Sequence, residues 1–216
     1  MRQRQFMNNS LQDTMARFYS RPLQKDGHCG PGSTFNYTKI LRRELPSFLK
    51  KHGIKSMVDA PCGYFEWMNS VQFEEGFKYI GADIVPNIIA YNKQDFPDKY
   101  FLVSDISEDK LPDADLLFVR DCLFHFNNEY KRKFFQNFLA NNFKFLLTSN
   151  HPKCTVNNEV HEFNGCHFEQ INWTLSPWNF PQPIDSILDW PEEGSEIYPY
   201  RTMVLYSKDE IQTILS

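Results

Sequence analysis

Between Met57 and Asn150 the chain alternates short apolar runs with helical patterns, and four of the runs reach an aspartate: Asp59, Asp83, Asp105 and Asp121. This alternation constrains the fold more than any other feature. Parallel strands need crossover connections, and helical crossovers lie on the faces of one sheet. Met57–Ala60, "KYIGAD", "KYFLVSD", "DLLFVRD" and "FKFLLTSN" read as strands. Between them, "PNIIAYNK" opens a helix with Pro86 at a favoured first position, and "NNEYKRKFFQNFLANN" gives an Asn-capped helix with a Phe134, Phe135, Phe138, Leu139 face. Upstream, Leu41, Leu45, Phe48 and Leu49 recur at helical spacing over Thr38–His52, before Gly53. The expected fold is α/β, a doubly wound, mostly parallel sheet.

The ends of the chain are less regular. Residues 1–35 carry a weakly amphipathic stretch and then "KDGHCGPGSTF", which predicts a lid or loop. Residues 151–200 hold three of the four tryptophans and many prolines, an irregular insert in which "HFEQINW" reads as a strand. "RTMVLYS" and "KDEIQTIL" then give a final strand and helix. With 216 residues the chain stays below the roughly 250 at which single cores stop growing, so one domain is expected over 1–216, with its regular core at 36–150.

A formal net charge of −4 lacks the basic surface that phosphate backbones select, so nucleic acid is not an expected partner. No run approaches the roughly 18 apolar residues of a membrane span, and the first residues show no apolar signal region. Five scattered cysteines do not form a disulfide pattern and read as reduced thiols, which places the chain in a cytoplasm.

Aspartates at strand ends have two readings. Each alone suits a cap or a turn. Four at successive strand ends suit a ligand in the crevice beyond the carboxyl edge of the sheet. Asp59 and Gly63 frame the first turn, and Asp83 lies near the position, roughly 20 residues past such a turn, where a ribose-binding acid is found. That turn has one glycine flanked by Tyr64 and Phe65, which serves a pyrophosphate poorly and suits a ligand with a ribose and no phosphate.

"VDAPCGYF" resembles the first motif of class I S-adenosylmethionine-dependent methyltransferases, keeping Asp59, Cys62 and Gly63, with Pro61 and Phe65 where glycines are common. "GSTFNYTKILRRELPSFLKKHGIKSMVDAPCGYFEWM", "YIGADIVPNII", "LPDADLLFVRDCLFHF" and "FPQP" resemble small bacterial methyltransferases associated with surface-polysaccharide modification. The resemblance implies a seven-stranded Rossmann-like sheet and S-adenosylmethionine as cofactor, with S-adenosylhomocysteine as product. It also implies a cofactor site of Ser33, Thr34, Arg42, Asp59, Ala60, Pro61, Gly63, Asp83, Ile84, Asp105, Ile106, Asp121 and Cys122. By it, Asp59 faces the methionine ammonium, Asp83 the ribose hydroxyls, and Asp105 with Ile106 the adenine amine. Arg42 or Arg43 pairs the methionine carboxylate, solvated helix charge being the other reading of both. Tyr64 stands where that group usually has aspartate.

"VRDCLFHF" resembles a segment of protein-glutamate methyltransferases that lies beside the donor methyl, and by that match Asp121 holds the methionine end while His125 faces the acceptor. An imidazole titrating near neutrality suits a general base, so His125 is the expected base, with Asp121 and His151 as alternatives and a capping or core role as the other reading. The acceptor wall is expected from His125, His151, Trp173, Trp178, Phe180 and Tyr198, with sugar or ordinary core as the two readings of the aromatics. His151, Cys154, His161, Cys166 and His167 could ligate zinc, but their irregular spacing favours no metal. The expected activity is O-methylation of a small-molecule acceptor such as a sugar or polysaccharide precursor. A silent cofactor-fold binding module and a protein or RNA methyltransferase are the alternatives. Nothing in the sequence sets the oligomeric state.

Overall fold

In a computed structural model, described for residues 11–19, 29–161, 167–196 and 198–215, seven strands form one sheet. In chain order the elements are α1 (Leu11–Tyr19), α2 (Lys39–Lys51), β1 (Ser56–Asp59), β2 (Lys78–Asp83), α3 (Pro86–Asp95), β3 (Tyr100–Val103), β4 (Leu116–Val119), α4 (Asn128–Ala140), β5 (Phe145–Asn150), β6 (Asp185–Leu188), β7 (Thr202–Ser207) and α5 (Lys208–Leu215). The strand order is β3-β2-β1-β4-β5-β7-β6. The pairs from β3 to β5 are parallel, and β7 runs antiparallel to both β5 and β6.

Side-chain alternation along the strands explains why both faces are covered. Val58, Leu117, Val119, Leu146 and Val204 point into one core with Phe134, Phe135 and Phe138 of α4. Their neighbours Met57, Leu116, Phe118, Leu147, Met203 and Leu205 point into the other, against Leu41, Leu45, Phe48 and Leu49 of α2. β4, central between β1 and β5, is buried at all four positions, as a strand covered on both faces must be. Asn127 caps α4, its side chain accepting from the Tyr130 backbone N–H.

Three sequence expectations change. The 1–35 segment contains a helix, α1. β6 falls in the proline-rich insert at Asp185–Leu188, a position not expected to be a strand. "HFEQINW" is not a strand: the N–H groups of Ile171, Asn172 and Trp173 go to side chains, His151 Nδ1, Asn157 Oδ1 and Asn150 Oδ1. Side-chain acceptors take the place that a neighbouring strand would fill. No described helix is long and apolar enough to cross a membrane.

Candidate active site

The cleft opens at the carboxyl ends of β1, β2 and β4, where Asp59, Asp83 and Asp121 converge. It encloses about 890 Å³, including space open to solvent. Its floor is the turn after β1. Gly63 there has φ +53°, and a Cβ at this position would stand 2.5 Å from Cys29 Sγ, so only glycine fits. Gly63 N–H and Val85 N–H both donate to Asp83, at 3.1 and 2.9 Å, which pins that carboxylate at the end of β2.

Burial pushes two of the acids toward the neutral form. Burial pushes the Asp59 carboxyl up to about 7, against the Tyr79 hydroxyl that donates to it at 2.6 Å and the nearby Arg120. Burial also lifts Asp83 to about 6, opposed by its backbone donors. A positively charged ligand beside either would draw it back toward the ionised form. Next to this region a second, apolar hollow lies between Leu11 and Met15 of α1 and Ile84, Ile106, Cys122 and Phe126, with Asp83 and Asp105 at its polar edge. Ser107 N–H and hydroxyl both donate to Asp105 Oδ1, and Asn137 donates to the Ile106 carbonyl.

At the other end of the cleft stand Asp121 and His125. The His125 Nδ1 lies 2.7 Å from the His167 carbonyl, which can only accept, so Nδ1 carries the proton. The Nε2 lone pair of the neutral ring is left toward Asp121 Oδ1, 3.9 Å away. Asp121 has φ +55° and an intermediate exposure. Burial raises its pKa, but Arg201 and Arg120 outweigh burial and hold it well below the usual carboxylate range.

Arg120 and Arg201 are both buried. Their guanidinium carbons lie 5.7 and 5.1 Å from the Tyr37 ring centre, and Arg120 also stacks over Trp67 at 5.1 Å. Arg120 Nη2 donates to the Gly32 carbonyl at 2.6 Å, tying down the short 3-10 turn Pro31–Ser33. A Cβ on Gly32 would run into the Asp121 carboxylate, so this turn lies directly on it.

The structure brings Ser33, Asp59, Pro61, Gly63, Asp83, Asp121, Cys122 and His125 into the main cleft, and Ile84, Asp105 and Ile106 into the apolar hollow. Ala60 is buried beneath, its N–H bonded to the Phe118 carbonyl. Thr34 lines neither space: its hydroxyl accepts from the Tyr37 N–H and donates to the Pro31 carbonyl. Arg42 is also elsewhere, spent on Thr38, Ser70 and the Phe35 carbonyl. Arg43 pairs with Glu44 and Glu192.

Among the described residues, Arg120 is the arginine that lines the cleft, and sequence reasoning missed it. The available signal was a charge closing an otherwise apolar strand run, "LLFVR".

The expected aromatic wall needs correction. Trp173, Trp178 and Phe180 are core, packed around Phe135 of α4 at ring distances of 5.2–5.5 Å. They cover the apolar face of α4. The Trp173 indole N–H donates to the Ser149 carbonyl. Tyr198 meets Tyr37 edge-on at 6.0 Å. Phe124, His125 and Phe168 pack together, and the Phe124 ring carries Arg201 on one side. Tyr64, unexplained by sequence, is buried against Val85 and Ile88, edge-on to Tyr91.

His151 is the second base candidate, and its geometry is that of a donor. Its Nδ1 accepts from the Ile171 N–H at 3.1 Å, which places the proton of the neutral ring on Nε2. Burial and Arg201 push it down to about 4, so it stays neutral without a lone pair to offer. Among the described residues no group of three or more His, Cys, Asp or Glu is arranged to hold a metal ion, and Cys166 lies outside them.

This strand order, with one antiparallel strand near the far edge and an acid-lined cleft at the carboxyl ends of β1, β2 and β4, is the class I methyltransferase fold. Solved structures agree. The methyltransferase domain of bacterial-CtHen1-CN matches with TM-score 0.58 and 14% identity, over 80% of this chain and 100% of that one. Magnesium protoporphyrin IX methyltransferase (ChlM) from Synechocystis PCC 6803 with bound SAH matches with TM-score 0.58 and 13% identity, over 91% and 93%. An S-adenosylmethionine-dependent methyltransferase from Clostridium acetobutylicum ATCC 824 matches with TM-score 0.54 and 11% identity, over 78% and 90%. No family profile and no curated protein matches the sequence.

Proposed function

We propose that this protein is an S-adenosylmethionine-dependent O-methyltransferase acting on a hydroxyl of a small molecule, with a sugar or surface-polysaccharide precursor as the acceptor class. One observation carries the reading. The His167 carbonyl fixes the tautomer of His125, so an imidazole lone pair stands in the cleft beside an ionised carboxylate. A binding module needs no such arrangement.

The residues present fit the cofactor. The buried Asp59 would meet the methionine ammonium, and Arg120, which lines the cleft where Arg42 does not, would pair the methionine carboxylate. Asp83, at the border of both spaces, has lone pairs left for ribose hydroxyls, and Asp105 Oδ2 is placed for the adenine amine. When bound, the cofactor supplies a methyl carbon activated by a positive sulfur. His125 Nε2 would take the proton of the acceptor hydroxyl, leaving its oxygen free to accept the methyl group the cofactor would supply. Asp121 then stabilises the imidazolium, and the turn at Gly32 excludes water from the pair. The net charge of −4 favours a small acceptor over nucleic acid.

Release of S-adenosylhomocysteine over a panel of free sugars, nucleotide sugars and phosphorylated small molecules tests the activity. Failure of the protein to bind S-adenosylhomocysteine at all would defeat the reading. The placement of Asp59 has its own test. Only the ionised carboxylate attracts an ammonium, and Asp59 is lifted to about 7. Calorimetry is therefore expected to show S-adenosylhomocysteine binding about five- to tenfold tighter at about pH 8 than at about pH 6. Tyr79→Phe removes the donor that favours ionisation, so it should move this rise to higher pH. A flat response in both proteins would count against Asp59.

A further inference from the structure

Asp189 follows β6 directly and is fully buried, and no sequence signal marked it. Its carboxylate accepts from Arg120 Nε at 3.1 and 3.0 Å and from Arg120 Nη2 at 2.9 Å. On the other side, Arg201 Nε stands 2.8 Å from its Oδ2. Each arginine then turns another nitrogen toward Asp121: Arg201 Nη1 at 3.1 Å and Arg120 Nη1 at 4.0 Å. Two guanidiniums and two carboxylates thus close a neutral box at the ends of β4, β6 and β7, next to His125.

We propose that Asp189 is a positioning residue for the Asp121–His125 pair and for the turn at Gly32. By taking the Nε–Nη2 edge of Arg120 and standing against Nε of Arg201, it leaves each guanidinium its Nη1 to turn toward Asp121, whose Oδ1 lies between Arg201 and His125. It also aims Arg120 Nη2, which reaches both Asp189 and the Gly32 carbonyl. One buried carboxylate thereby aligns the base and the turn that covers it. This rests on the reading of His125 as the base.

Charge accounting gives the sign. Around His125 the charged and titratable groups are Asp121 on its own turn, Arg120 and Arg201 behind it, and His167 with its partner Glu169 in the insert. His151 meets the Phe124 ring beside it, and Asp59 and Glu66 line the same cleft. Neutralising Asp189 adds one net positive charge to the box, which disfavours the imidazolium. Removing Arg201 does the reverse.

The His125 imidazole, titrated by NMR in acceptor-free protein, is therefore expected to move down by about one pH unit in Asp189→Asn and up by a similar amount in Arg201→Gln. In turnover, Asp189→Asn should lower kcat/KM about tenfold or more, with its acid limb displaced the same way. Asp189→Glu, which keeps the charge, should restore most of the titration. A melting temperature that falls while the His125 titration stays in place would reduce Asp189 to a structural role and overturn the proposal. If Asp189→Asn does not fold, Arg201→Gln carries the test, and an unmoved titration there overturns it equally. The titration needs no acceptor. Turnover retained in His125→Ala would therefore remove the base reading alone and leave this electrostatic coupling to be judged separately.

Discussion

His125→Ala is expected to lower kcat by about 10²- to 10⁴-fold, the range for loss of a general base, while S-adenosylhomocysteine affinity changes by less than about twofold. The two readouts should separate because, on the proposed reading, the imidazole meets the acceptor while Asp83 and the apolar hollow hold the nucleoside. His125→Asn sharpens the test. An amide can still donate to the His167 carbonyl that now holds Nδ1, but it cannot take a proton at neutral pH. If the ring only props the insert, Asn should rescue turnover. If it takes the proton, Asn should be as slow as Ala. Single-turnover rates with a confirmed acceptor decide between them.

Trp173→Ala is expected to destabilise the fold by about 3–5 kcal/mol, as large-to-small changes in a closed core do, and to lower the melting temperature by about 10 °C. Trp173 is fully buried among Phe135, Trp178 and Phe180, and its indole N–H is spent on the Ser149 carbonyl. Because it belongs to the core under α4, the kcat/KM of the remaining folded enzyme should change little. A selective loss of acceptor binding with an unchanged melting temperature would instead return Trp173 to the acceptor wall. Thermal melts and steady-state kinetics on the same preparation give both numbers.

What the sequence disclosed follows from range. The strands of the sheet centre were legible because a strand buried on both faces writes an unbroken apolar run, as "LLFV" does. The aspartates at their ends were legible because each stands beside its own strand. β6 left no such mark: four residues, "DSIL", with intermediate and exposed positions, in a segment rich in proline. The box of Arg120, Asp121, Asp189 and Arg201 was also hidden. Asp189 and Arg120 are 69 positions apart, and only the closure of the sheet brings them together.

The tryptophans misled for a different reason. Aromatic content says that large surfaces are to be buried, and it does not say whether a ligand or a helix will bury them. "HFEQINW" read as a strand, yet Asn150, His151 and Asn157 supply side-chain acceptors for its N–H groups.

The carbonyl that sets the His125 tautomer belongs to His167, in the stretch between β5 and β6 that also packs Phe168 against the ring. Exchanging this stretch therefore exchanges the group that sets the His125 tautomer as well. A graft without a carbonyl at that point frees the ring to take its other tautomer, with the lone pair turned away from Asp121. On the proposed role of His125, swaps that keep the 167 backbone in place are the ones expected to stay active.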